Sequence, residues 1–549
     1  MRLRPGLLSS VTAVAATLLV FAAFEAALRL TYRIRNASVD AVVLPYNAAQ
    51  DFGPMPPWMD GMRILEPDED LVWRNRSGVE RRYLDVYSPV ARESDRSSLL
   101  GRFLPRVPDS LRNNPIWQVS LNSHGFRDRE FDISKAPGTF RIVCVGDSWT
   151  FGANVDQAEA YPQRLLALLR EAHPDAGFEV LNLGTMAYSS RQGLELMRLR
   201  VLDLSPDLVL IGFGMNDASI AGYRDRDIVG IHQAEPPAKR VARWLEKIEV
   251  LKLLRYLTRV ANREAWSIGD YMKGMAEASG SPAASWYGGR FSESADYDAL
   301  EPYTRVSPRD YEANLEAMVG LAEGSGADVV LLYNELWNTP YREAVRRVAE
   351  RAGLAWIDSR SLIVAERKRR IRQLEAGLDL APSVTAPSRA PRVVEAIFRV
   401  YAGEYDVPDR LYVASPHPAL GGGAPNRTAL YDDGTHGDER AGDRVWSLSV
   451  RLESNAPVYY VYTNSGAPGE WDGMDIPEVR SVTIPESTGE RAPLPLDVFG
   501  KMILQADGWH TNGSGYELIA RAAFDALASS GNFRRHLSGR ESGATTSSR

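Results

Sequence analysis

The chain has 549 residues, 44% hydrophobic and 25% charged, with 64 Lys and Arg against 71 Asp and Glu for a net charge of -7. That composition is globular, the length implies more than one folded unit or one large domain with insertions, and the mild acidity excludes the basic surface that a nucleic-acid backbone requires. The single cysteine, Cys144, excludes an intrachain disulfide and sits in an apolar run where a buried, inert thiol is expected. A large domain can stand on its core alone, so the missing disulfides leave an oxidising compartment open.

At the N-terminus, Arg2 and Arg4 precede an uncharged stretch from Leu7 to Phe24, which is broken by Glu25. Apolar character resumes to Leu28, before Arg29, Arg33 and Arg35. This suits a membrane anchor of about 20 residues with snorkelling ends. Residues 1–35 are therefore read as an uncleaved transmembrane anchor, with a cleaved signal peptide and a buried helix as alternatives. The short segment ahead of it favours an internal N-terminus and an extracytoplasmic catalytic mass, periplasmic or extracellular, although basic residues on both flanks weaken orientation by charge.

Residues 36–137 form a proline-broken lead, read as a membrane-proximal arm or a cap over the main domain. Within it, Asn122 to Glu130 make a polar turn whose His124 and Arg127 either line a substrate entrance or simply satisfy the turn. From Phe140 an alternating rhythm sets in. Arg141 to Val145 reads as a strand, Tyr161 to Glu171 as an amphipathic helix, Phe178 to Leu183 as a strand, Arg191 to Leu202 as a helix and Leu208 to Phe213 as a strand. That order predicts right-handed crossovers and a mostly parallel sheet. The rhythm breaks over 218–300, where Val241 to Val260 is a basic amphipathic helix packed on protein or lying on a membrane surface, and 276–294 is a loop. It returns at Ser307, a helix cap followed by Pro308. Tyr311 to Ala322 and Tyr341 to Ala352 read as helices, Ala327 to Tyr333 and Ala355 to Asp358 as strands, and 361–400 as helical stretches about a Pro/Ser break.

Residues 138–408 are thus the first part of an α/β domain. Residues 409–490 read as an inserted, sandwich-like β module with strands at Arg444 to Leu452, Val458 to Thr463 and Val479 to Ile484. Residues 491–530 return to the α/β domain, and 531–549 read as a disordered polar tail.

Four short blocks carry chemistry. Gly146-Asp147-Ser148 follows the first strand, and Gly184 follows the second. Gly214, Asn216 and Asp217 follow the third, and Asp507 precedes His510 by three residues near the C-terminus. A serine hydroxyl becomes a competent nucleophile only beside a base, and His510 is the best base in the chain. Asp507 is close enough to hold the other ring nitrogen and fix the tautomer. The Ser148 N–H, the Gly184 N–H and the Asn216 amide are candidate donors to an oxyanion, each worth on the order of 3 kcal/mol of barrier. Each piece alone has a bland reading as a turn, a cap or a surface pair. Together they fall at the crevice of a parallel sheet.

These blocks resemble the SGNH hydrolase superfamily, also called GDSL esterases and lipases, with Trp149 where leucine is common. The run His510-Thr511-Asn512-Gly513 is similar to the family's final histidine loop leading into its closing helix. The resemblance implies Ser148 as nucleophile, His510 as base, Asp507 as orienter and an oxyanion hole of Ser148, Gly184 and Asn216. It also implies a three-layer α/β/α, flavodoxin-like fold with about five parallel strands. It does not cover the β module, and it leaves the substrate open, because the superfamily includes lipases, deacetylases and O-acetyltransferases.

The Asp-rich turn from Tyr431 to Asp443 resembles turns of extracellular immunoglobulin-like β modules. Calcium binding and a turn held by side-chain-to-backbone bonds both remain open there. Tyr459, Tyr460, Tyr462 and Trp471 either stack on sugars or fill a core. The expected activity is a serine esterase without metal or organic cofactor, acting on an ester substrate, by preference an acylated glycan. An O-acetyltransferase working with a membrane-bound acyl donor and an inactive glycan-binding protein are the alternatives.

Overall fold

The computed structural model describes residues 5–37, 43–45, 64–84, 116–219, 224–230, 245, 247–261, 304–335, 339–379, 392–402, 410–464, 467–469, 480–486, 491–499 and 510–544. Helix α1 (Pro5–Ala37) contains one span, Thr12–Ile34, long and apolar enough to cross a membrane, with mean hydropathy 1.8 and none of its most apolar window buried against protein.

The lead contributes β1 (Val43–Pro45), β2 (Leu65–Asp68), β3 (Val72–Asn75), β4 (Val79–Leu84) and β5 (Ile116–Leu121). β1, β4 and β5 form one small sheet, and β2 and β3 form a hairpin. Trp73, Tyr83 and Trp117 are buried in the same apolar cluster as the main domain. The Trp73 indole donates to Met186 O at 3.1 Å, and Tyr188 OH returns a bond to Trp73 O at 2.7 Å. This part of the lead is therefore fixed against the loop that follows the second core strand.

The main domain runs β6 (Thr139–Gly146), α2 (Ser148–Phe151), α3 (Tyr161–Ala172), β7 (Gly177–Asn182), α4 (Ser190–Leu196) and β8 (Leu208–Gly214), then α5 (Glu249–Ala261), α6 (Pro308–Gly324), β9 (Asp328–Asn334), α7 (Pro340–Ala352), β10 (Ala355–Asp358) and α8 (Ser359–Asp379). The five strands are all parallel, in the order β10-β9-β8-β6-β7. This is the flavodoxin-like 2-1-3-4-5 order, whose switch point lies beside β6. Alternation along the strands sends Val143 and Val145 to one apolar layer with Leu194, Tyr311, Leu315 and Tyr341. Ile142 and Cys144 face the other layer, with Leu165, Leu169 and Ile519. Helices thus cover both faces, which is why these strands read as continuous apolar runs. Ser307 caps α6 through a bond from the Asp310 N–H at 3.1 Å. Burial pushes the Cys144 thiol well above its ordinary range.

β11 (Val393–Tyr401), β12 (Leu411–Ala414), β13 (Thr428–Leu430), β14 (Val445–Glu453), β15 (Pro457–Thr463), β16 (Arg480–Thr483) and β17 (Arg491–Val498) form a second unit. It has a three-stranded sheet, β14-β11-β17, and a four-stranded sheet, β13-β12-β15-β16, whose inner side chains share one apolar cluster. The unit extends past the expected 409–490 at both ends. Its first strand lies in the segment read as helical, and its last in the segment assigned to the α/β domain. β11 and β17 pair with each other in parallel, so a module that lacked either would lose its central contact. Tyr460 and Tyr462 fill this core and both donate to Asp497 Oδ2, at 2.8 and 2.9 Å, so they are not a sugar platform. Trp471 lies outside the described residues.

The chain closes with α9 (Gly513–Ala526) and α10 (Gly531–Ala544). The expected frayed tail is thus a helix as far as Ala544. Phe533 is buried against Phe140, with ring centroids 5.5 Å apart, and the Asn532 amide donates to Asp207 O and Gly326 O. A single aromatic in a polar sequence was too weak a period to read.

Arg141 shows how the first strand is pinned. Its fully buried guanidinium donates to Glu179 Oε2 at 2.6 Å and to the carbonyls of Ile133, Leu204 and Asp132. Arg141→Met strands that carboxylate and three acceptors, and is expected to cost about 3–5 kcal/mol in urea unfolding. A loss within error of zero would show the cluster to be dispensable.

Candidate active site

The serine turn is built by exclusion of side chains. A Cβ on Gly146 would lie 2.0 Å from Thr150 Oγ1 and 2.5 Å from Gly212 O, so only glycine fits where β6 ends. Asp147 follows in extended conformation and caps α2, its Oδ1 accepting the Trp149 N–H at 2.9 Å. Gly152 ends α2 in the left-handed region, at φ 84°. The buried Arg127 then locks the exit. It donates to the carbonyls of Phe151, Gly152, Gln118 and Val155, and its guanidinium lies over the rings of Trp117 and Phe151. Of the two readings open for Arg127 and His124, the structure selects the turn. His124 Nε2 is 3.0 Å from Phe131 O, and its ring stacks on Phe131.

The histidine arrives from the far end of the chain. His510 Nε2 lies 2.8 Å from Ser148 Oγ, across 362 positions of sequence. The two residues are 8% and 3% exposed, so the pair is shielded yet not sealed. Asn512 caps α9 by accepting from the Ser514 and Gly515 N–H groups, which fixes the chain two residues after His510. α9 packs on α3, and Tyr516 meets Trp149 edge to face at 6.3 Å. Asp507 lies outside the described residues.

Asn216 stands at the end of β8 with its amide pointed at the serine turn, Nδ2 donating to Asp147 Oδ2 at 3.4 Å. Gly184 departs from expectation. Its N–H donates to Asn182 Oδ1 at 2.9 Å, so in this structure it is engaged in a local turn and not offered to an oxyanion. Its lack of a side chain has a packing cause instead, because a Cβ there would lie 2.2 Å from the Phe151 N. The left-handed turn in this loop falls three residues later, at Ala187, with φ 61°.

Sequence reasoning missed the polar layer behind these groups. Asp217 accepts from the Ser190 N–H at 2.9 Å and from Ser190 Oγ at 2.6 Å. Arg305 grips Asp225 with two nitrogens, at 3.1 and 2.7 Å, and also donates to Gln192 Oε1 and Ala187 O. Burial pushes the Asp147 carboxyl up to about 8, aided by Asp217 and Glu335 and opposed by the Trp149 N–H and by His510. Burial likewise pushes Asp217 up to about 7, against its bonds from Ser190 and the charge of Arg305. The available signal for Asp147 was its type and place, since an aspartate directly before a short helix is a standard cap.

Elsewhere, Asp432, Asp438 and Asp443 are the one group among the described residues whose side chains converge as a metal site requires, within 4.8 Å. Their oxygens accept the backbone N–H groups of Asp443, Arg444, Gly434 and Val445, which accounts for the tight turn.

A five-stranded parallel sheet with a serine turn at its first strand, met there by a histidine, defines the class as an α/β ester hydrolase. Residues 144–384 match the GDSL-like lipase/acylhydrolase family, so the chain carries a domain of SGNH ester-hydrolase type. Among solved structures, an acetylxylan esterase from Geobacillus stearothermophilus aligns at 14% identity over 41% of this chain and 77% of its own, with a TM-score of 0.24. An alpha/beta hydrolase enzyme from the metagenome of Lake Arreo, Spain, aligns at 17% identity over 42% and 80%, with a TM-score of 0.23. No curated protein matches the chain.

Two expectations follow from the carboxylates. In Asp147→Asn the new oxygen keeps the Trp149 bond, so the new amide faces the Asn216 Nδ2 and the Asn216 side chain must turn away. A loss on the order of 10²-fold in kcat with little change in KM is expected, and equal effects on both would refute a positioning role. For Asp217, the folded pKa is raised, so its contribution to stability is full below pH 3.8 and is lost as pH rises through about 7. Asp217→Asn retains an acceptor for Ser190 and removes the titration. The melting temperature of wild type should therefore fall more steeply than that of the variant across this window, and parallel curves would disprove the buried titration.

Proposed function

We propose that this chain is a membrane-anchored, extracytoplasmic serine esterase that removes O-acyl groups from a glycan. The carrying observation is the 2.8 Å bond between Ser148 Oγ and His510 Nε2, formed by two side chains that only the complete fold can bring together. Ser148 Oγ attacks the ester carbonyl while His510 Nε2 takes its proton. Asp507 holds the other ring nitrogen. The Ser148 N–H and the Asn216 amide face the developing oxyanion, with Gly184 able to join only if its bond to Asn182 opens. Collapse breaks the ester C–O bond, and the leaving alcohol takes the proton from His510. A water then adds to the acyl-enzyme with His510 again as base, releasing the acid and restoring Ser148.

Helix α1 supports the anchor by its length and its uncovered apolar surface. The glycan preference rests on architecture, since a tethered hydrolase domain interrupted by a two-sheet module suits an extended polymer better than a freely diffusing ester. In this reading the hydrolase domain and its glycan lie on the same, extracytoplasmic side of the membrane.

A serine-reactive fluorophosphonate is expected to label wild type and not Ser148→Ala, whose turnover should drop on the order of 10⁴-fold or more. Equal labelling of both proteins removes Ser148 from the mechanism. Free acetate released from an acetylated glycan, unchanged by added acceptor sugar, supports hydrolysis. Acyl groups appearing on the acceptor instead identify a transferase.

A further inference from the structure

We infer that α5 lies in the interfacial layer of the bilayer that α1 spans, its leucine face seated at the boundary between headgroups and acyl chains. This rests on the anchor reading proposed above. The uncharged run of α1 from Gly6 to Phe24 rises about 28 Å at 1.5 Å per residue, close to the thickness of a hydrocarbon core, so Glu25 falls at its edge.

Glu25 is where α5 begins. Its Oε1 accepts the Glu249 N–H at 3.0 Å and its Oε2 accepts the Val250 N–H at 2.9 Å, so a carboxylate of α1 caps the first turn of α5. Arg29, ion-paired with Glu25 at 2.6 Å, also donates to Lys247 O at 2.6 Å. A charge that breaks an apolar run therefore has a structural use, as the socket of a second helix at headgroup depth.

The exposed face of α5 continues this contact. Val250, beside α1, is 7% exposed, whereas Leu254 and Leu257, at i+4 and i+7 on the same face, are 54% and 52% exposed. Lys252 and Arg255 project from the opposite arc, where anionic headgroups would meet them, and Lys252 also pairs with Glu249 at 3.0 Å. Thirteen residues are too short to span a bilayer and suit a helix lying in its surface. Bare leucines that prolong a contact with a membrane helix, at the depth where its hydrocarbon span ends, have lipid as their neighbour.

The test uses the full chain in vesicles of phosphatidylglycerol and phosphatidylethanolamine, with an environment-sensitive fluorophore on Leu254→Cys or, separately, Leu18→Cys. Cys144 is buried and takes no label in the folded protein. Blue-shifted emission at position 254, lost to lipids quenching near the glycerol boundary and insensitive to aqueous iodide, supports the inference. Iodide quenching at 254 while deep acyl-chain quenchers reach position 18 overturns it and leaves the anchor standing. Shielding of 254 from both lipid and iodide also overturns it, in favour of a second copy or another protein. Failure of lipid quenchers to reach position 18 removes the anchor and the inference together.

Discussion

The candidate site depends on one packing contact between distant parts of the sequence. Trp149, the residue after Ser148, is fully buried and meets Tyr516 of the helix that follows His510. A rigid indole on one side and a capped helix start on the other leave the imidazole little freedom, and the hydroxyl lies within its reach. The sheet supplies the rest, because parallel strands all end on one edge and place Gly146, Asn182 and Gly214 around the same crevice.

Beneath that edge the protein has concentrated buried acid. Asp147, Asp217, Asp225 and Glu335 are all nearly inaccessible, and Arg305 pairs with Asp225. Burial keeps Asp147 and Asp217 within reach of neutrality near physiological pH. With Asp147 and Asp217 protonated, the buried floor of the crevice carries less negative charge than four ionised carboxylates would impose.

Much of this was legible in sequence, for physical reasons that differ by element. The strands of the parallel sheet are covered on both faces, so their apolar runs stood out, and the amphipathic helices Tyr161–Ala172 and Pro340–Ala352 carried clear periods and boundary signals. The blocks at Ser148, Asn216 and His510 were readable because glycine and capping chemistry are local. The use of Gly184 was not, since whether an N–H is offered outward or turned back to Asn182 is decided by a side chain two residues away. The limits of the β module were hidden for a similar reason. β11 and β17 stabilise each other although far apart in sequence, Glu395 pairing with Arg491, and nothing in either segment alone announces its partner. Arg127 was ambiguous because a charged residue in a polar turn gives no sign that four carbonyls await it.

Cys144 has a consequence outside catalysis. As the only thiol of the chain, buried in the strand that carries Ser148 and pushed toward its unreactive form, it is a natural clock for opening of the sheet. Alkylation at this atom has to wait for β6 to separate from its neighbours, so its rate reports the breathing of the strand that leads to Ser148 without any engineered probe. With one cysteine the chain forms no intrachain disulfide, so a change of compartment neither makes nor breaks one.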